Sequence, residues 1–478
     1  MHLAAVTTWF LVLASVLGIG SRADALPIEL KDSNDTKYQI NTQVVPLNAL
    51  SNASGALTNA TFTKSVTVTY YYVGFTPWFG FLTTYTTQHQ VNVPLTPAFG
   101  DHATSPPTGG FNSLLITAVN AQKLTVPLAF NPGQALAGQD CPSNGKNKQL
   151  IFASQSFAEQ NLTLTRKVYV PSNAEWARWL NIVTNTGSAS AQVTISLLGL
   201  IASGGQTQVV STSSGDGILS IGDLWFTTQQ NVSNSLQPTI GYVVQGPNPS
   251  VSLSNVGIST TTTPPGKAAF SYNITIPAGG TAIVMTFVTV QGKNKQAKST
   301  CENIVTDPLP SNAIKCMSEQ ELSQVVNFER ITPPTLKKST VTLKFNKTAQ
   351  DTAQWKGKIT VAAGISLNGL PVTVDFGGVT QAFTLKKNGS ANNGNGNKFN
   401  LDASINNGVT KAGTYNVSFN LKGDLQTALA PYGLTNTSVQ NASVFIPLSI
   451  TAGPGRYAVD QVYSYDATAG KSGTAKAP

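Results

Sequence analysis

Carboxylates beside indoles are the first residues in this chain whose types and spacing could do chemistry. Glu175 directly precedes Trp176 and lies close to Trp179, and Asp216 and Asp223 lead into Trp225. Glycoside hydrolysis needs two carboxyls across the scissile bond, one as acid and the other as base or nucleophile. Indole rings stack on sugar faces, so Trp176, Trp179 and Trp225 are candidate ligand-binding residues. The structural alternative is simpler. Glu175–Trp179 reads as a turn entering a strand, with alternate side chains packed inward and Arg178 paired to an acid, and Asp216 after Gly215 suits a turn. No residue is therefore assigned a catalytic role.

The other chemistries find still less. Beyond residue 25 the histidines are His89 and His102, neither in a motif, and no Gly-x-Ser-x-Gly elbow is present. A His-dependent triad thus has almost no base to draw on. The three cysteines are Cys141, Cys301 and Cys316. Cys301 and Cys316 bracket a Pro- and Asn-containing loop, so a Cys301–Cys316 disulfide is predicted, worth roughly 3 kcal/mol through loop closure. Pairing of Cys141 with either one stays open. Scattered Cys and His give no metal-ligand spacing, and no Gly-rich phosphate loop joins a strand to a helix. Neither a metal nor a cofactor is expected.

The aromatic run Tyr70–Phe81 is the densest in the chain. Gly74, Pro77 and Gly80 break it into two strands and set Trp78 and Phe79 at a hairpin tip. Exposed, these rings make a binding surface; turned inward, they fill a core. Trp78 and Phe79 join the candidate ligand-binding residues.

Composition says which elements must carry these residues. The 478 residues are 41% hydrophobic and 11% charged, which excludes disorder and helical bundles. Val, Thr, Ile, Tyr and Phe recur in short runs broken by Gly, Pro and Asn, the pattern of β-sheet. Strands are predicted at 65–72, 162–170, 191–198, 219–227, 240–244 and 282–290. The one convincing helix starts at Ser318, where Ser318 and Glu321 form a capping box.

Five segments follow along the chain. Residues 1–25 read as a secretory signal peptide, an apolar run ending at the small-x-small site Ala23-Asp24-Ala25. Residues 26–330 form a large β-sandwich domain, and 331–336 a Pro-rich linker. Residues 337–452 form a smaller Ig-like β-sandwich with strands near 339–345, 358–362, 372–376, 415–421 and 443–450. Within it, 390–397 reads as a flexible loop tip. Residues 453–478 read as a flexible tail, with one more strand available at 457–463. The Ig-like segment holds eleven Lys, four Asp and no Arg or Glu, so it carries +7 of the chain's +9. Those lysines suit polyanions such as acidic polysaccharides, or act as solvated edge-blunting charges. Eleven Asn-x-Ser/Thr sequons, from Asn34 to Asn441, are what a Thr/Ser/Asn-rich sequence generates by composition.

The stretch Leu164–Pro171, Trp176–Asn185, Thr212–Asp216 and Asp223–Trp225, closing with Ile276–Gly280 and Met285–Val288, resembles a β-sandwich module of secreted bacterial proteins. More distantly it is similar to the galactose-mutarotase-type supersandwich, over about residues 65–330. Mutarotase chemistry needs a positioned Glu and His that have no match here, so the resemblance implies the fold and no catalytic residue.

The expected fold is all-β: a large supersandwich-like β-sandwich followed by an Ig-like one. The expected role is that of a secreted, extracellular or periplasmic, non-catalytic protein that binds carbohydrate or makes cell-surface contact or adhesion. Its partner would be a polysaccharide or cell-surface glycan. No specific nucleic acid and no membrane span after signal cleavage are expected, and nothing in the pattern fixes an oligomeric state. The alternatives are a carbohydrate-active enzyme with an unlocated carboxylate pair, or a self-assembling surface-layer or fibre subunit.

Overall fold

The computed structural model describes residues 28–42, 57–61, 63–75, 82–94, 112–119, 125–132, 135–137, 149–201, 203–231, 237–261, 265–305, 309–329 and 331–477. They form an all-β architecture of antiparallel sheets, as the sequence predicts. The predicted signal peptide, Trp78, Phe79, His102 and Cys141 lie outside the described residues.

Two sheets build the first unit. A nine-stranded sheet has at its centre Trp225–Gln230, Thr239–Val243, Thr281–Gln291, Ala177–Asn185 and Leu162–Tyr169, in that spatial order. A five-stranded sheet centred on Ala191–Leu200 packs against it. Trp179, Val183, Val284 and Val288 from the first meet Ile195, Leu197, Phe270 and Tyr272 from the second in one core. The strand Thr281–Gln291 is buried on both faces, which explains its nearly continuous apolar run. Its other face, Ile283, Met285 and Phe287, enters a second core.

That second core is closed by a strap formed by residues 294–305, 309–329 and 331. The strap begins with helix α1 (Asn294–Ile304), which turns Ala297, Cys301 and Ile304 inward. Helix α2 (Glu319–Gln324) follows and buries Leu322; its capping box forms as predicted, with Ser318 Oγ accepting from Glu321 N and Glu321 Oε2 from Ser318 N. Two side chains bolt the strap down. Arg178 Nη1 donates to the Ala313 and Lys315 carbonyls at 2.6 and 2.8 Å. Asn327 Nδ2 donates to the Val244 and Met285 carbonyls, both at 2.7 Å, and its Oδ1 accepts from Met285 N.

A ten-stranded hydrogen-bonded path builds the second unit, running from Val379–Thr384 through Val439–Ala452, Gly455–Thr468 and Thr335–Leu343 to Ser390–Asn392. It folds over a core that includes Trp355, Phe376, Phe419, Leu448 and Tyr463.

Several expectations are corrected here. Residues 453–478 are no flexible tail: Gly455–Thr468 and Ser472–Lys476 are strands, and Tyr457, Val459, Tyr463 and Tyr465 alternate into the core. Residues 331–336 are no free linker, because Ile331 is buried, Thr332 bridges to Tyr457 and a strand opens at Thr335. Ser390–Asn392 is a short edge strand, not part of a loop tip. The strand predicted at 219–227 begins only at Trp225, since Asp223 ties the preceding residues into a loop. Helix α1 was not anticipated.

Candidate functional site

Three of the predicted indole platforms are interior. Trp176, Trp179 and Trp225 are 3%, 0% and 3% exposed. Trp179 sits between the two sheets, while Trp176 packs edge-on against Phe287 at 5.2 Å under the strap. Covering both faces of the nine-stranded sheet leaves these rings no solvent side, so none can stack on a sugar. The tip residues Trp78 and Phe79 lie outside the described residues, although the flanking strands Thr63–Phe75 and Leu82–Pro94 pair in register.

The three weighed carboxylates are structural. Glu175 Oε2 accepts from Gln291 Nε2 at 2.8 Å. Asp216 accepts from Ile218 N, Ser214 Oγ and Thr212 Oγ1, and the amide of Ile218 above all holds its carboxyl below the ordinary range. Buried Asp223 accepts from Ser214 N and from Ser220 N and Oγ. Each accepts hydrogen bonds from neighbouring residues of the fold.

The Cys301–Cys316 bond does not form. Cys301 is a free thiol on helix α1, wedged against Gly241, where an added Cβ would lie 2.6 Å from its sulfur. Burial pushes that thiol well up. Cys316 is the disulfide-bonded cysteine.

What the structure does assemble is a cleft of about 480 Å³ between the two units. One wall is the nine-stranded sheet, through Lys167, Ile182, Thr184 and Thr281. The strap supplies the middle with Cys316–Ser318, Gln320, Glu321 and Gln324, and the second unit closes it with Phe445 and Asp460. Lys167 Nζ and Glu321 Oε1 pair at 3.0 Å, both side chains largely sheltered. The capping box therefore does two jobs, fixing α2 and aiming Glu321 at Lys167.

Asp460 is the group with chemistry left over. Its Oδ2 accepts from Cys316 N at 3.0 Å, while its Oδ1 is buried without a hydrogen-bond partner among the described residues. Burial pushes its carboxyl up, against the opposing pull of Lys315, the Cys316 amide and Arg178. Lys315 is itself buried, 3% exposed, and burial lowers its ammonium pKa while Asp460 opposes that shift. Its Nζ donates to the Phe445 carbonyl at 2.9 Å and lies 4.8 Å from the Tyr432 ring centre. The cleft thus presents side-chain amides, hydroxyls and an ion pair beside the Phe445 ring. Such a set serves a ligand carrying many hydroxyls, which donate and accept at once.

Sequence reasoning missed Asp460, Lys315 and Phe445, and it read Glu321 only as a cap. No group of three metal-ligating side chains exists among the described residues, and no described helix is long and apolar enough to cross a membrane.

No protein-family model matches the chain, and no curated protein matches it. Among solved structures it is similar to one described as a polysaccharide lyase, at 9% identity and a TM-score of 0.29, covering 82% of this chain and 45% of that one. It is also similar to a galactose mutarotase-like protein from Lactobacillus casei ATCC 334, at 10% identity and a TM-score of 0.34, covering 55% of this chain and all of that one. The chain therefore spans under half the length of the lyase. At this similarity neither neighbour assigns it a site or an activity.

Proposed function

We propose that the protein is exported and binds a carbohydrate, without turning it over, in the cleft between its two units. The observation that carries this reading is a polar cleft of about 480 Å³ lined by Gln320, Gln324, Ser318, Phe445 and the Lys167–Glu321 ion pair. Gln320 and Gln324 supply both donors and acceptors, and Phe445 offers an apolar face. Contact with a cell-surface glycan is the setting that such a protein fits.

A second reading has one observation in its favour. Asp460, pushed up by burial, and Glu321, paired to Lys167, are two carboxyls in contrasting environments lining one cleft, as an acid–base pair requires. A glycan array with the full chain, followed by a reducing-end assay on every glycan retained, separates the two. Binding with no new reducing ends is expected. Hydrolysis lost in both Asp460→Asn and Glu321→Gln would replace the binding reading with an enzymatic one.

A further inference from the structure

The second unit carries a surface unlike any other described part of the molecule. Its strands Thr335–Leu343, Asp351–Val361, Gly413–Gly423, Lys398–Asp402 and Ser390–Asn392 lie side by side in that order. The alternation is strict: Trp355, Phe399, Phe419 and Leu421 point into the core, and the residues between them point out. Register turns the outward residues into rows across the strands. One row reads Lys338, Lys356, Ser418, Asn400 and Ser390. The next reads Thr340, Gln354, Asn420, Lys398 and Asn392.

Three features of this face point to an anionic ligand. Lys338 stands directly opposite Lys356, a like-charge pairing that weakens a sheet. Lys337, Lys358, Lys398 and Lys422 share the five strands with them, while the exposed acid on that face is Asp402. Two shallow depressions, of about 330 and 190 Å³, meet at Lys356, Asn400 and Ser418 and so form one continuous trough. Asn420 lines the same trough beside Lys398 and Asn392.

We propose that this trough binds an acidic polysaccharide, with the lysines meeting its carboxylates or sulfates and the Asn and Ser side chains its hydroxyls. Five strands at their usual spacing span about 19 Å, room for several sugars and not merely one. Lys in place of Arg fits a partner whose charges are spaced along a chain and met one at a time. Amide rows between the charges fit hydroxyls, which a phosphodiester backbone presents far more sparsely. The site is separate from the interunit cleft, and either assignment can fail alone.

The test uses the full chain with polygalacturonate as the uronate probe and dextran sulfate as the sulfate probe, against neutral dextran and duplex DNA. Retention of either acidic polysaccharide, fading as NaCl rises from about 50 to about 300 mM, is expected. Replacing Lys338, Lys356 and Lys398 together by Ala should weaken that binding roughly tenfold or more at low salt and flatten its salt dependence. Replacing Lys293, Lys295 and Lys298 on the first unit by Ala should leave it unchanged. Asn400→Ala with Asn420→Ala should weaken binding several-fold while leaving the salt dependence intact, because it removes hydroxyl contacts and no charge. No retention of either polysaccharide, equal losses in both lysine variants, or DNA bound as tightly as the glycans would overturn the proposal.

Discussion

Asp32 shows how burial sets the chemistry of a single carboxylate. It is 5% exposed and accepts from Asn34 N, Thr36 N and Tyr38 Oη, yet burial outweighs those bonds and raises its pKa from 3.8 to about 6. The folded state therefore holds the Asp32 proton more tightly than the unfolded chain does. Its stabilising contribution is complete below about pH 4 and is lost as pH rises to about 6, on the order of 3 kcal/mol at most. Asp460 shifts in the same direction, so the wild-type slope sums several groups, and the comparison with Asp32→Asn isolates one. Thermal midpoints between pH 4 and 7 should fall more steeply for the wild type than for that variant. Parallel profiles would contradict the assignment. Residue identity alone misleads at the tryptophans, since an indole next to a carboxylate looks the same in a sequence whether it faces sugar or core. Trp176 and Trp225 became interior because a strap closes over the face they occupy, and no local signal announces that closure.

At the scale of elements, the strands were legible wherever apolar and polar residues alternate, as in Leu162–Tyr169 and Ala191–Leu200. The capping box of α2 was legible too, because it is a local exchange of two hydrogen bonds. Helix α1 was not. Only Ala297, Cys301 and Ile304 mark its buried side, within an otherwise polar run. The strand offered at 457–463 is present and longer, Gly455–Thr468, its Tyr457, Val459, Tyr463 and Tyr465 carrying the period of two, whereas Ser472–Lys476 was hidden by a Gly-, Ala- and Lys-rich end. Gly455–Thr468 lies between Val439–Ala452 and Ser472–Lys476, so it closes the second core rather than trailing from it. A chain ending at Ala452 should lose the cooperative unfolding transition of the second unit in calorimetry. A truncated protein with an unchanged transition would refute the placement.

At the scale of the molecule, charge and covalent links are distributed unevenly. Segment 337–452 carries most of the net positive charge, whereas the interunit cleft balances Lys167 against Glu321 and Lys315 against Asp460. Cys316 sits on the cleft wall and is disulfide-bonded, while Cys301 is free. A non-reducing peptide map should yield Cys316 in a disulfide-linked peptide and a Cys301 that alkylates only after denaturation. Recovery of a Cys301–Cys316 pair would contradict the packing of Cys301 against Gly241. The cleft itself was not legible in the sequence, because Lys167, Glu321 and Asp460 meet only once the strap and the last strands are in place. The measurement that bears most directly on its role is calorimetric titration of the best glycan from the array into the wild-type protein and a Gln320→Ala, Gln324→Ala variant. Both amides line the cleft and neither holds the strap, so the variant should keep its thermal midpoint and bind about thirtyfold more weakly, as expected for two lost hydrogen bonds. Unchanged affinity in a folded variant would place the glycan elsewhere on the molecule.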